Sequence, residues 1–98
     1  MSLIQYTNIT LKMIIDSGLI KPETKIYSSL KPTTIGTINN DGSISLKINN
    51  KHKKFISPSG AAREVAGLSI NGWTFWMIYI NNEYKELSFL REIYKNQQ

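Results

Sequence analysis

Between residues 47 and 63 the chain gathers side chains suited to an anion: Lys47, Lys51, Lys53, Lys54 and Arg63, with His52 and the hydroxyls of Ser57 and Ser59 among them. Lysines clustered beside a turn make a footprint for phosphates, and the same cluster can serve only to keep a strand edge soluble. Ser57 is placed to cap a helix whose first turn holds Pro58, where a missing N–H costs nothing. The amides of Ser59 and Gly60, next to the two serine hydroxyls, suit a phosphate oxygen, although ordinary capping uses the same atoms. Further on, the Asn71 amide can read an adenine edge, and an exposed tryptophan at Trp73 can stack on a base. Metal and cofactor chemistry find no support. One histidine without cysteines cannot supply the ligands of a zinc site, so His52 reads as a surface residue. There is no acid–base pair around it and no glycine-rich phosphate loop, and Ser57 and Ser59 have no evident base. The expectation is a protein without catalytic, metal or cofactor sites.

The chain that must position these residues has 98 of them, enough for one core, and reads as a single domain over 1–98. Its 41% hydrophobic and 19% charged content is that of a globular protein. A net charge of +5, from twelve Lys and Arg against seven Asp and Glu, makes nucleic acid a natural partner. Without cysteine there is no disulfide framework. The start, Met-Ser-Leu-Ile-Gln, carries no leader pattern, and no apolar run approaches the length of a membrane span. A soluble, cytoplasmic protein with no membrane partner is expected.

Thr7 or Asn8 can cap a first helix running to about Ser17, with Leu11, Ile14 and Ile15 at helical spacing and Gly18 past its end. Lys25–Leu30 and Thr33–Ile38 have strand composition, separated by a break at Lys31-Pro32. Asn39-Asn40-Asp41-Gly42 is a strong turn signal. Ser43–Ile48 then alternates, with Ile44, Leu46 and Ile48 facing inward and Ser43, Ser45 and Lys47 outward. A second turn at Asn49-Asn50 leads to Lys51–Ile56, which carries the basic cluster. A central helix follows from Ser57 to Gly67, burying Ala61, Ala62 and Val65 and exposing Arg63 and Glu64. Asn71-Gly72 reads as a tight turn with positive φ, opening a long central strand from Trp73 to Ile80. On such a strand Trp73 and Trp76 project to opposite faces, so at least one is core, and with the rest of the strand so apolar both are expected to be buried. Trp76 shares its face with Thr74, Ile78 and Ile80, and Trp73 is the better candidate for a contact. After a turn at Asn81-Asn82-Glu83, Tyr84–Leu87 can pair back as a short strand, with Ser88 capping a helix to about Asn96. A single helix from near Tyr84 is the alternative. The fold class is α+β: helix, three-stranded antiparallel meander, central helix, long Trp-containing strand with a short partner, and terminal helix.

Several blocks also resemble a known family. Ser17-Gly18-Leu19-Ile20-Lys21-Pro22, Asp41-Gly42, Ser57-Pro58-Ser59-Gly60-Ala61-Ala62, Asn71-Gly72-Trp73-Thr74-Phe75-Trp76 and Leu87 through Arg91 occur in the order of the RAMA domain, the module associated with restriction enzymes and adenine methylases. The Ser-Pro-Ser and Asn-Gly-Trp-x-Phe-Trp blocks are the more specific. Where that family commonly has Gly after the proline of the first block, this chain has Glu23, and where it often has Ala after Ser-Pro-Ser, it has Gly60. The resemblance implies a DNA-binding or modified-DNA-recognising role, usually attached to a methylase, nuclease or other effector. With no effector expected here, the module acts through a separate partner or by occupancy. The expected ligand is duplex DNA, methylated DNA included, held by Lys51, Lys53, Lys54, Ser57, Ser59, Arg63, Asn71 and Trp73. The alternative is a protein-interaction module that recruits or inhibits a DNA-processing enzyme such as a methylase or nuclease.

Overall fold

Thr10 starts the first helix: its hydroxyl oxygen accepts the Met13 N–H at 3.2 Å, and α1 runs Leu11–Asp16 with Leu11, Ile14 and Ile15 buried. The structure, a computed structural model, describes residues 9–31 and 33–97. The caps at Thr7 and Asn8 and the break at Pro32 lie outside the described residues. Gly18 stands just past α1 at φ +85. The backbone then crosses Glu23 at φ +70, a left-handed conformation that costs a residue with a Cβ about 1 kcal/mol relative to glycine. The Glu23 N–H donates to the Ile38 carbonyl at 2.6 Å, which holds this turn against the sheet.

Among the described residues six antiparallel strands follow: β1 (Lys25–Ser28), β2 (Ile35–Ile38), β3 (Ile44–Ile48), β4 (Lys51–Phe55), β5 (Trp76–Ile80) and β6 (Glu83–Glu86). They lie in the order β4-β3-β2-β1-β5-β6. The meander therefore has four strands rather than three, because Lys51–Phe55 pairs with β3 over its whole length. Asn49 (φ +52) and Asn50 (φ +65) close that hairpin, and Asn81 (φ +51) and Asn82 (φ +67) close β5–β6, matching the twist of the flanking strands.

Period-2 alternation gives the sheet two unlike faces. Ile26, Ile38, Ile44, Leu46, Trp76 and Ile78 point to one face and are buried. The helices α2 (Pro58–Ala66) and α4 (Ser88–Asn96) add Ala61, Ala62 and Leu90 to the same core, together with Ile14 of α1. The opposite face carries no buried side chain on any of these strands. No helix among the described residues is long and apolar enough to cross a membrane.

Four expectations need correction. Asn71-Gly72 is not a positive-φ turn: Asn71 (φ −75) is the N-cap of a short helix, α3 (Gly72–Phe75), and its side-chain oxygen accepts the Trp73 N–H at 2.9 Å. The side chain of Asn71 competes for the backbone there, so Trp73–Phe75 coil and the strand begins only at Trp76. That strand lies between β1 and β6 rather than at the centre of the sheet. Trp73 and Trp76 accordingly do not sit on opposite faces of one strand, although both are buried as the apolar run led one to expect, at 7% and 0% exposure. Ser88 is the first residue of α4, not its cap: Leu87 stands at the cap position, and the Ser88 hydroxyl donates to Glu86 Oε1 at 3.1 Å.

Candidate functional site

The β3–β4 hairpin delivers Lys51, His52, Lys53 and Lys54 to the edge of the sheet, and all four are exposed. Alternation divides them. Lys51 and Lys53 lie opposite Ile48 and Leu46 and lean to the helix side, whereas His52 and Lys54 lie opposite Lys47 and Ser45 on the open face. Two of the lysines have acidic partners: Lys53 Nζ lies 3.8 Å from Glu64 Oε2, and Lys54 Nζ lies 3.0 Å from Asp41 Oδ2. The Ser43 hydroxyl and backbone N–H hold the Asp41 carboxyl well below the usual carboxylate range, with Lys54 adding to the effect. Ser43, expected to face water, is thereby 4% exposed. Among the described residues, Lys47, Lys51 and His52 have no acid within ion-pair distance.

Ser57 caps α2, its oxygen accepting the Gly60 N–H at 3.1 Å. Pro58 occupies the first turn, and Gly67 (φ +78) ends the helix. Ser59 does something the sequence did not show: its hydroxyl oxygen accepts the Gly72 N–H at 2.9 Å and ties α3 to the start of α2. The Pro58 carbonyl accepts the buried Trp76 indole N–H at 3.0 Å, a second tie across the same junction. The two segments approach so closely that a Cβ on Gly72 would overlap the carbonyl group of Pro58. Arg63 points outward and donates to Ser69 Oγ at 3.1 Å.

A hollow of about 200 Å³ at this junction brings Ser57 and Trp73 together, with Thr10, Asp41, Ile56 and Arg91 in its wall. Neither the residue type nor the spacing of Arg91 in the sequence points to a role. Its guanidinium carbon lies 3.7 Å from the Trp73 ring centroid, and Nε donates to the Ile9 carbonyl at 3.0 Å. Burial lowers its pKa, yet an arginine remains charged at neutral pH. Among the described residues no acid pairs with it. The only available signal was its place four residues after Leu87 on an amphipathic helix. Neither Ser59, Arg63 nor Asn71 lines this hollow.

Five of the eight expected site residues thus fall into two groups, Lys51, Lys53 and Lys54 on the sheet edge and Ser57 and Trp73 at the hollow, whereas Ser59 and Asn71 are taken up by backbone N–H groups and Arg63 stands apart on Ser69. Asp41 joins them, since it pairs with Lys54 and also lines the hollow. Chemically, the first group offers mobile cations for phosphates, and the second offers a fixed guanidinium over an aromatic ring. A model of the family described as Restriction Enzyme Adenine Methylase Associated (RAMA) matches residues 2–98. No curated protein matches the chain.

Proposed function

The chain belongs to the RAMA family, whose name places it in the setting of restriction and adenine methylation, and from that premise we propose that it is a non-catalytic DNA-binding module. The observation that carries the reading is the basic edge: β4 presents Lys51, His52, Lys53 and Lys54 in an unbroken exposed run, with Lys47 directly across from His52. Such a row neutralises phosphates, which makes affinity largely independent of sequence and steeply dependent on salt. Arg91, held over Trp73, supplies a fixed cation beside the same end of the sheet through Asp41. Recognition of methylated adenine would be added by base contacts on top of this phosphate term.

Fluorescence anisotropy of labelled duplex DNA at two salt concentrations tests the reading, with adenine-methylated and unmethylated duplexes side by side. Binding that weakens steeply with salt supports it. Absence of binding at low salt removes it.

A second reading has its own observation. Leu68 and Ile70, in the connection between α2 and α3, are 60% and 37% exposed, and Ile56 ahead of α2 is 94% exposed. Apolar side chains in water on both approaches to α2 suit a protein partner such as a methylase or nuclease. Co-elution of the chain with such an enzyme, abolished by Leu68→Glu, would favour that reading.

A further inference from the structure

The face of the sheet away from the helices carries two cross-strand rows. Cα pairings set Lys54 opposite Ser45, Ser45 opposite Thr37, and Thr37 opposite Lys25. The antiparallel register between Tyr27 and Met77 then brings Lys25 opposite Tyr79, which is paired with Tyr84. One straight row therefore reads Lys54, Ser45, Thr37, Lys25, Tyr79, Tyr84 across all six strands. The adjacent row contributes His52, Lys47 and Tyr27. At strand spacing the row spans roughly 24 Å.

The two ends differ in chemistry. At the β6 end, Tyr79 and Tyr84 are 53% and 56% exposed. Their ring centroids are 4.9 Å apart, and Tyr27 meets Tyr84 edge-on at 5.4 Å. Beside them a hollow of about 410 Å³ is lined by Tyr27, Ser28, Ser29, Met77 and Tyr84. At the other end stand Lys47, His52 and Lys54, with Lys25 between, its ammonium 3.1 Å from Thr37 Oγ1. Among the described residues, Glu86 is the one acid that the strands place on this face.

We propose that this open face binds a short single-stranded or locally unpaired segment of DNA, with bases stacked on the tyrosine cluster and the backbone running across Lys25 towards Lys47 and Lys54. The proposal rests on the DNA-binding reading and deepens it. A six-stranded face roughly 24 Å across is wider than either groove of B-form DNA, and exposed rings gain from bases only where the base faces are free, which in a duplex they are not. The excess of cations on the face complements the phosphates, and the row is long enough for a strand on the order of 4 nucleotides. The hydroxyls of Thr37 and Ser45, between the two ends, give the backbone neutral hydrogen-bonding groups to cross.

The test titrates the full chain with a labelled short oligodeoxythymidylate and, separately, with a fully paired duplex. Replacing Tyr79 and Tyr84 by Ala lowers affinity for the single strand by about tenfold per ring while duplex affinity changes less than about twofold, and Tyr→Phe at both positions restores it. A second measurement needs no variant: 2-aminopurine in the single strand loses fluorescence on binding as it stacks. Unquenched 2-aminopurine, or equal loss of both affinities in the Ala variants, overturns the proposal. So does loss of self-association in those variants without any change in single-strand binding, which would make a second copy the occupant. Duplex binding without single-strand binding overturns this inference alone, and absence of both overturns the DNA-binding reading with it.

Discussion

The junction where α2, α3 and β5 meet and the basic edge at β4 are built from residue types equally suited to a ligand, yet the molecule uses them in opposite ways. At the junction, Ser57, Ser59 and Asn71 each accept a backbone N–H, and Trp76 donates to the Pro58 carbonyl. At the edge, every side chain from Lys51 to Lys54 stands in water, and the only ionic partners among the described residues are surface carboxylates. A hydroxyl or amide beside a helix start satisfies the backbone before it satisfies anything else, because an unpaired buried N–H costs about 1–3 kcal/mol. Lysines on an edge strand owe nothing to the fold. Stability should therefore reside in the first region and affinity in the second.

The largest effect expected is at Trp76. Trp76→Ala removes a fully buried ring and leaves the Pro58 carbonyl without its donor, a loss of about 3–5 kcal/mol. Trp73→Ala follows it closely, since that ring is also buried and supports Arg91. Chemical denaturation of both variants checks this, and a stable Trp73→Ala protein with impaired DNA binding would move the junction to the side of function. Gly72→Ala comes next at about 3 kcal/mol, because the new methyl meets backbone atoms of Pro58 and Ser59 that cannot move independently. Were the constraint a positive φ, Asn would be tolerated at position 72; here Gly72→Asn is as damaging as Gly72→Ala.

How far the sequence reaches is shown by these same residues. The capping of α2 by Ser57, the end at Gly67, the Asn-Asn turns and the burial of Ala61 and Ala62 were all legible, because each depends on local backbone chemistry or on a period. Asn71-Gly72 misled because an Asn-Gly pair suits either a hairpin or a cap followed by a close approach, and only the distant Pro58 decides between them. Read as a turn, the pair puts Trp73 on a strand that it does not join. Arg91 over Trp73, and the row joining Lys54 to Tyr84, are products of register and topology, and no window of neighbouring residues contains them.

At the edge the expectation reverses. Replacing Lys51, Lys53 and Lys54 together by Ala changes stability by no more than about 1 kcal/mol, since both ion pairs involved are exposed. Duplex affinity falls across all sequences, and the slope of log affinity against log salt flattens by about 0.9 for each phosphate that is no longer neutralised. Titrations at several salt concentrations measure both. A triple variant that binds as the parent does would leave β4 a purely structural edge and erase the contrast with the junction.

The smallest and most discriminating effect concerns Asp41, where the two regions touch. Its carboxylate occupies Lys54 at 3.0 Å, so it competes with a phosphate for that ammonium. Asp41→Asn keeps a side-chain oxygen able to accept the Ser43 N–H, which Asp41 Oδ1 now does at 2.9 Å, and so preserves the turn. It removes one negative charge beside the basic edge. Duplex affinity should rise by about two- to fivefold at low salt and the gain should shrink as salt is added, because the change is purely electrostatic. In the Lys54→Ala background the same substitution should bring a smaller gain, since no ammonium remains to be released. An equal gain in both backgrounds would mean that Asp41 repels DNA through the general field of the surface, and Lys54 would then have no phosphate of its own to neutralise.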